Sequence, residues 1–194
     1  MKQIIILLGI PGSGKGTQAK KIRDKYDYEH ISTGDLLRNL DKDLLSQEDY
    51  EEIKNYMNEG KVVPDKYIYK LAFPEIEQAL EEGNGVVLDG AIRTKEQAKQ
   101  YQQFFEGQGL REEVLALEIE LSEEEAIKRL IKRAKDSDRA DDNEETIKER
   151  IKKQGQKALE PVVNFYDKRG LLERVDGSKN ISEVEEEIDS ILQP

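Results

Sequence analysis

The sequence predicts an α/β fold built on a parallel sheet, and three observations carry that expectation. Short apolar runs rich in β-branched residues recur at Ile4–Leu8, Val86–Leu88, Val114–Leu121 and Leu171–Val175, and such runs suit strands buried on both faces. Long stretches with helical spacing separate them, the alternation expected of strands joined by crossover helices. With 194 residues, the chain is long enough to bury one full core without disulfide or metal staples.

Ile4–Leu8 forms the first expected strand and runs directly into Gly9-Ile-Pro-Gly-Ser-Gly-Lys15-Gly-Thr17, after which Ala19 and Ile22 begin a helical stripe. Residues from about 32 to 62 read as mainly helical, without a convincing core strand. Val86–Leu88 returns to the sheet and ends at Asp89-Gly90. Thr94-x-x-Gln97 then has the pattern of a capping box. After Val114–Leu121, Ser122-Glu-Glu-Glu125 opens a helix with Ala126, Ile127, Leu130 and Ile131 on one face. Residues 134–143 are wholly polar apart from alanines. The last strand precedes Ser182-x-x-Glu185, read as the start of a helix striped by Val184, Ile188 and Ile191. The segments near 32–62 and 134–143 interrupt the alternation and read as attachments to the sheet that can move. There is no internal repeat and no low-complexity linker.

Composition narrows the function classes. The net charge of −11 argues against a nucleic-acid backbone or an anionic membrane as the main partner, although a pocket inside an acidic protein can still be positive. The sequence has no cysteine and one histidine, His30, which excludes disulfides, thiolate zinc sites, a cysteine nucleophile and a histidine metal cluster. His30 itself reads as structural. The apolar start is too short for a secretory leader and leads into the glycine-rich segment rather than a cleavage site. No stretch approaches a membrane span, so a cytoplasmic protein is the default expectation.

The Gly9–Thr17 segment sits where a phosphate-binding loop must sit, between a strand and a helix. Glycines let successive backbone N–H groups turn inward around phosphate, the helix N-terminus adds partial positive charge, and Lys15 supplies a mobile point charge. Gly12, Ser13, Gly14, Lys15, Gly16 and Thr17 are therefore the candidate ATP-phosphate residues. The hydroxyl comes one position late, at Thr17, because Gly16 follows Lys15. That spacing resembles the loop of nucleoside-monophosphate kinases rather than that of GTPases or transport ATPases. Neither an Asn-Lys-x-Asp segment nor a Leu-Ser-Gly-Gly-Gln segment occurs.

Along nearly its whole length the chain then resembles the short-lid adenylate kinases, on five separated motifs in order. These are Ile31-Ser-Thr33-Gly-Asp-Leu-Leu-Arg38; Gly60-Lys-Val-Val-Pro-Asp65; Asp89-Gly90-Ala-Ile-Arg93-Thr-Lys-Glu-Gln97; Arg129-x-x-x-Arg133 followed by Ser137-Asp-Arg139 and continuing to Arg150; and the pair of Pro161…Phe165-Tyr166 with Val175-Asp-Gly-Ser-Lys179. The resemblance implies a P-loop NTPase fold with a five-stranded parallel sheet, a helical AMP-binding insertion at about 32–62 and a short lid at about 134–143. The core would comprise about 1–31, 63–133 and 144–194, as one kinase domain.

The same resemblance implies residue roles. AMP would be held by Thr33, Arg38, Lys61, Val62, Val63, Gly90, Arg93, Gln97, Arg139 and Arg150. Arg129, Arg133 and Lys179 would join the loop around ATP. Lys15, Arg93, Arg133, Arg139 and Arg150 would stabilise the transferring group. Asp89 would orient magnesium through water, with no direct protein ligand, and Asp141 and Asp142 would lie at the nucleotide–magnesium edge. Residue chemistry agrees. Phosphoryl transfer needs positioning and positive charge more than covalent help, and Arg grips phosphate in a bidentate way. An AMP phosphate oxygen is already anionic, with a second pKa of about 6, so no strong general base is required.

The implied reaction is reversible transfer from ATP to AMP giving two ADP, with magnesium and without zinc, in a monomer. Thr33 and Gln97 favour AMP over UMP or CMP, since a glutamine amide can pair bidentately with adenine. A UMP/CMP kinase of the same fold, or a nucleotide-sensing protein that no longer transfers, stays open at this point. Three departures from the family pattern carry expectations. Ala91-Ile92 replaces an aromatic–proline pair, which removes apolar contact and loosens Arg93. Asp138 places a negative charge beside Arg139. Ile10 is bulkier than the usual small residue.

Overall fold

In the computed structural model, which describes residues 1–42, 45–59, 61–136 and 144–193, the predicted sheet is present and has five strands. β1 (Ile4–Leu8), β2 (Tyr28–Ser32), β3 (Gly85–Asp89), β4 (Val114–Glu120) and β5 (Leu172–Asp176) lie in the order β2-β3-β1-β4-β5. Every neighbouring pair is parallel. Four strands fall on the apolar runs of the sequence. β2 does not: only Tyr28 and Ile31 are buried while Glu29 is exposed, so its Tyr-Glu-His-Ile-Ser sequence carries no continuous apolar run.

The helices among the described residues are α1 (Lys15–Tyr26), α2 (Thr33–Arg38), α3 (Gln47–Asn58), α4 (Asp65–Glu81), α5 (Lys95–Gly107), α6 (Glu123–Asp136), α7 (Glu144–Gln154), α8 (Gln156–Asp167) and α9 (Ile181–Leu192). They cover both faces of the sheet. Successive side chains of β1 point to opposite sides: Ile4, Ile6 and Leu8 join a cluster with Ile76 of α4, Phe105 of α5 and Tyr166 of α8. Ile5 and Leu7 join another with Ile22 of α1 and Ile188 of α9. Burying each such side chain contributes roughly 1.5–3 kcal/mol, which is why β1 needs apolar residues at every position.

Two smaller clusters carry the rest. Ile53, Val63, Tyr67, Ile68 and Leu71 form a core with Leu36 and Leu37, tying α2 and α3 to the start of α4. Ile10, Leu121, Ala126, Leu130, Ile147 and Ile151 form a second, joining the loop after β1 to α6 and α7.

The helix starts show how local chemistry sets boundaries. Thr94 and Gln97 form the expected reciprocal capping box of α5, and Ser122 Oγ accepts from the Glu125 N–H at 3.2 Å. One expectation shifts. α9 is capped by Asn180, whose side chain accepts from the Ser182 and Glu183 N–H groups while Glu183 reaches back to the Asn180 N–H; Ser182 is already inside the first turn. Ser32 occupies the N-cap of α2.

The chain leaves β1 through α1 on one face and β3 through α5 on the other. A crevice therefore opens between the carboxyl ends of these adjacent strands, the usual ligand position in open parallel sheets.

Candidate active site

The register of β1 on β3 sets Leu7 against Asp89, so the loop leaving β1 begins beside that carboxylate. Gly9, Gly12 and Gly14 have φ of 148°, 89° and 99°, a region that strains any residue bearing a Cβ. Space is short as well: a Cβ on Gly12 would lie 2.9 Å from the Ala126 carbonyl oxygen. The Ser13 N–H donates to the Ile10 carbonyl at 3.1 Å and folds the loop back on itself. α1 then starts with no side-chain cap and no acidic residue in its first turn. α3, α4, α5 and α9 each place a carboxylate there. The positive end of α1 is thus left for an anion.

Lys15 Nζ donates to the carbonyls of Gly9 at 2.7 Å and Ile10 at 3.0 Å. Desolvation draws its pKa down to about 8; Asp89 opposes the shift, and Arg93 and Arg150 reinforce it. Arg93 Nε donates to the Gly90 carbonyl at 3.0 Å. Desolvation, then Arg150, lowers the Arg93 pKa, with Asp89 again opposing. Lys15, Arg93 and Arg150 therefore share one electrostatic neighbourhood, reached from α1, the β3–α5 turn and α7. Cations gathered this way repel one another unless an anion lies among them.

These groups line a cleft of about 1510 Å³. Among the described residues its walls carry eleven Lys and Arg side chains against two carboxylates, Asp35 and Asp89, in a chain of net charge −11. From the predicted site it brings together Gly12, Gly14, Lys15, Gly16 and Thr17 of the loop. It also gathers Arg38, Asp89, Gly90, Arg93, Arg129, Arg133, Arg150 and Lys179. Asp89 lies against the loop, since a Cβ on Gly16 would come 3.1 Å from its Oδ2.

Other predicted residues stand off the cleft walls. Ser13, Thr33 and Gln97 are buried. Gln97 Oε1 accepts from the N–H groups of Arg93 at 2.7 Å and Thr94 at 3.1 Å, and its Nε2 donates to Asp65 Oδ1 at 2.7 Å. The capping reading of Gln97 is realised, whatever else the amide does. Lys61 pairs with Glu59 at 2.6 Å, Val62 is exposed and Val63 is buried in the α2–α4 core. Gly60, Asp138, Arg139, Asp141 and Asp142 lie outside the described residues.

The cleft also contains groups that the motifs did not supply. His30 lines it, with Nε2 3.8 Å from Asp89 Oδ2; because β2 carries no strand signal, the sequence offered no way to aim this side chain. Lys20, Lys132, Lys153 and Ile181 also line it, and nothing in their local patterns separates them from ordinary surface residues.

Two departures from the family pattern resolve in physical terms. Ala91 and Ile92 are buried in the main core, so Ile92, at the proline position, supplies apolar contact beside the place where a ring was expected. Arg93 is held from both ends, by the Gly90 carbonyl and by Gln97. Ile10 turns away from the phosphate cradle into the α6–α7 cluster, 2% exposed.

The sequence model of the family described as "Adenylate kinase" matches residues 7–171. Adenylate kinase isoenzyme 1 of Rattus norvegicus is 36% identical over 182 residues, covering 94% of this chain and 90% of that protein. An adenylate kinase of Leptospira biflexa is 37% identical over 180 residues, 93% and 94% of the two chains. One from Bacteroides thetaiotaomicron is 37% identical over 173 residues, 89% of each.

Proposed function

The chain belongs to the adenylate kinase family, and from that membership together with the cleft we propose the reaction it performs and the role of each residue. It is an adenylate kinase: it moves the terminal phosphoryl group of ATP to AMP, giving two ADP. The observation that carries the residue assignment is the convergence of Lys15, Arg93 and Arg150, from three separate elements, on one cleft beside an uncapped helix N-terminus.

In this reading the loop N–H groups and the start of α1 hold the ATP phosphates, and Lys15 follows the transferring group as a point charge. Arg129 and Arg133 approach from α6, and Lys179 closes the far end of the ATP site. Thr33, Arg38, Lys61–Val63, Gly90, Arg93, Gln97 and Arg150 hold AMP. An AMP phosphate oxygen attacks the γ-phosphorus, the bond to the bridging oxygen breaks, and ADP departs with that oxygen. The arginines stabilise the spread charge of the transition state. For Gln97 to pair bidentately with adenine, its Nε2 exchanges Asp65 for the base and its Oε1 gives up a backbone N–H of Arg93 or Thr94. α2 and α3, with their own small core, form the AMP-binding insertion; of the lid expected near 134–143, residues 134–136 end α6 and the rest, with Arg139, lies outside the described residues.

Among the described residues no cluster of His, Cys, Asp or Glu can hold a metal alone. Magnesium fits here as part of the nucleotide, because it keeps waters and takes most ligands from phosphate. Asp89, the acidic residue lying against the loop, would hold it through water, and the ion would supply charge neutralisation between the phosphates. No helix among the described residues is long and apolar enough to cross a membrane, and we place the protein in the cytoplasm as a monomer.

The test is a coupled ADP-production assay with Mg·ATP and each of AMP, dAMP, CMP and UMP. Turnover should be greatest with AMP. Tight nucleotide binding without turnover on AMP would indicate a sensor, and faster turnover with CMP would overturn the roles given to Thr33 and Gln97.

A further inference from the structure

Resting on the kinase reading above, we infer that Ile10 is a positioning residue whose side chain sets where Arg133 and Arg150 stand relative to Lys15. Ile10 lies in the phosphate loop between Gly9 and Pro11, but its side chain leaves the loop and is 2% exposed. It packs with Leu121, with Ala126 and Leu130 of α6, and with Ile147 and Ile151 of α7. Those helix residues are neighbours of the cleft arginines. Leu130 precedes Arg133 by one turn, and Ile147 and Ile151 bracket Arg150 on α7.

The main chain of the same residue faces the other way. Its carbonyl accepts from Lys15 Nζ at 3.0 Å and from the Ser13 N–H at 3.1 Å. One residue therefore holds Lys15 with its backbone and the arginine-bearing helices with its side chain. Little else in the loop does so. Gly9, Gly12 and Gly14 have no side chain to pack, although Gly12 brings the backbone of the loop against Ala126 and Leu130. Ile10 also borders a second cavity, of about 360 Å³, so a shorter side chain enlarges an existing void and removes the packing that fixes α6 and α7 against the loop. A small residue at this position would let α6 and α7 settle at a different distance from the loop. Misplacement of reacting groups by about 1 Å is enough to cost about a hundredfold in rate.

The experiment compares Ile10→Ala and Ile10→Val with the wild type, well below their melting temperatures. Ile10→Ala should lose about ten- to hundredfold in kcat with a smaller rise in KM for AMP, since Arg150 is displaced while Thr33 and Arg38 lie on α2, away from the cluster. Ile10→Val, one methyl shorter, should show a smaller but still measurable loss of kcat. Should Ile10→Ala fail to fold, a reduced kcat in fully folded Ile10→Val supports the inference. Wild-type kcat in either folded variant, with only a lowered melting temperature, overturns it. Amide hydrogen exchange gives a readout independent of catalysis: α6 and α7 should exchange faster in the folded Val variant, and unchanged exchange there contradicts the coupling. An inactive wild type would contradict the kinase reading, while the exchange comparison would still decide for Ile10.

Discussion

Lys15 is held by two backbone carbonyls among like charges, and its chemistry follows from that position. Burial brings its pKa to about 8 from 10.5, so the free protein loses this charge as pH rises through about 8. Bound phosphate favours the ammonium form. kcat/KM for ATP, which reports the free enzyme, should therefore fall above about pH 8, while kcat persists to higher pH. The effect on stability has the opposite sense. The folded pKa lies below the unfolded one, so the cost of burying this cation is full below about pH 8 and lifts as pH approaches 10.5. Lys15→Met should retain the fold but lose about a hundred- to thousandfold in kcat, the range for one electrostatic contact to a transition state; substantial remaining kcat would mean the loop is misassigned. Lys15 was legible because its motif is local and contiguous. Gln97 was legible only in part. Its capping box lies within four residues, but its bond to Asp65 crosses 32 positions, which no local pattern reveals. Gln97→Ala should lower stability by about 1–2 kcal/mol through the lost cap, seen in denaturant melts, and should also raise KM for AMP if the amide reads adenine.

Elements were predictable where burial is two-sided or a cap is local. β1, β3 and β4 are covered on both faces and read as apolar runs; β2 buries only Tyr28 and Ile31 and did not. The start of α9 was misread by two residues because Ser182-x-x-Glu185 and Asn180-x-x-Glu183 are overlapping capping signals, and the preceding loop allows the earlier one. The junction of the phosphate loop with α6 was invisible in the sequence, since Gly12 and Ala126 are distant in the chain. Gly12→Ala tests it. A Cβ there meets the Ala126 carbonyl oxygen at 2.9 Å and sits at a φ of 89°, so the backbone alone should cost about 1–2 kcal/mol. The loop must also move away from α6. Both a lower melting temperature and a higher KM for ATP are expected, from thermal melts and steady-state kinetics.

Taken whole, the molecule is an acidic body around a basic cleft. Composition gave the net charge of −11, but the cleft gathers its cations from α1, α2, α6, α7 and two turns, and only folding brings these together. A polyanion that fits should relieve the repulsion among them. ATP at about 100 times its Kd should therefore stabilise the fold by about 2.7 kcal/mol, with a smaller gain at high salt where charges are screened. A thermal shift series with ATP at low and high ionic strength measures this.

The decisive measurement starts from Mg·ADP alone and follows all three nucleotides by phosphorus NMR or chromatography. A cleft that binds two adenine nucleotides and passes one phosphoryl group between them should produce ATP and AMP in equal amounts, with no inorganic phosphate, until equilibrium is reached. AMP and phosphate appearing without ATP would mean hydrolysis in an unclosed site, and unchanged ADP would mean binding without transfer; either result contradicts the assignment.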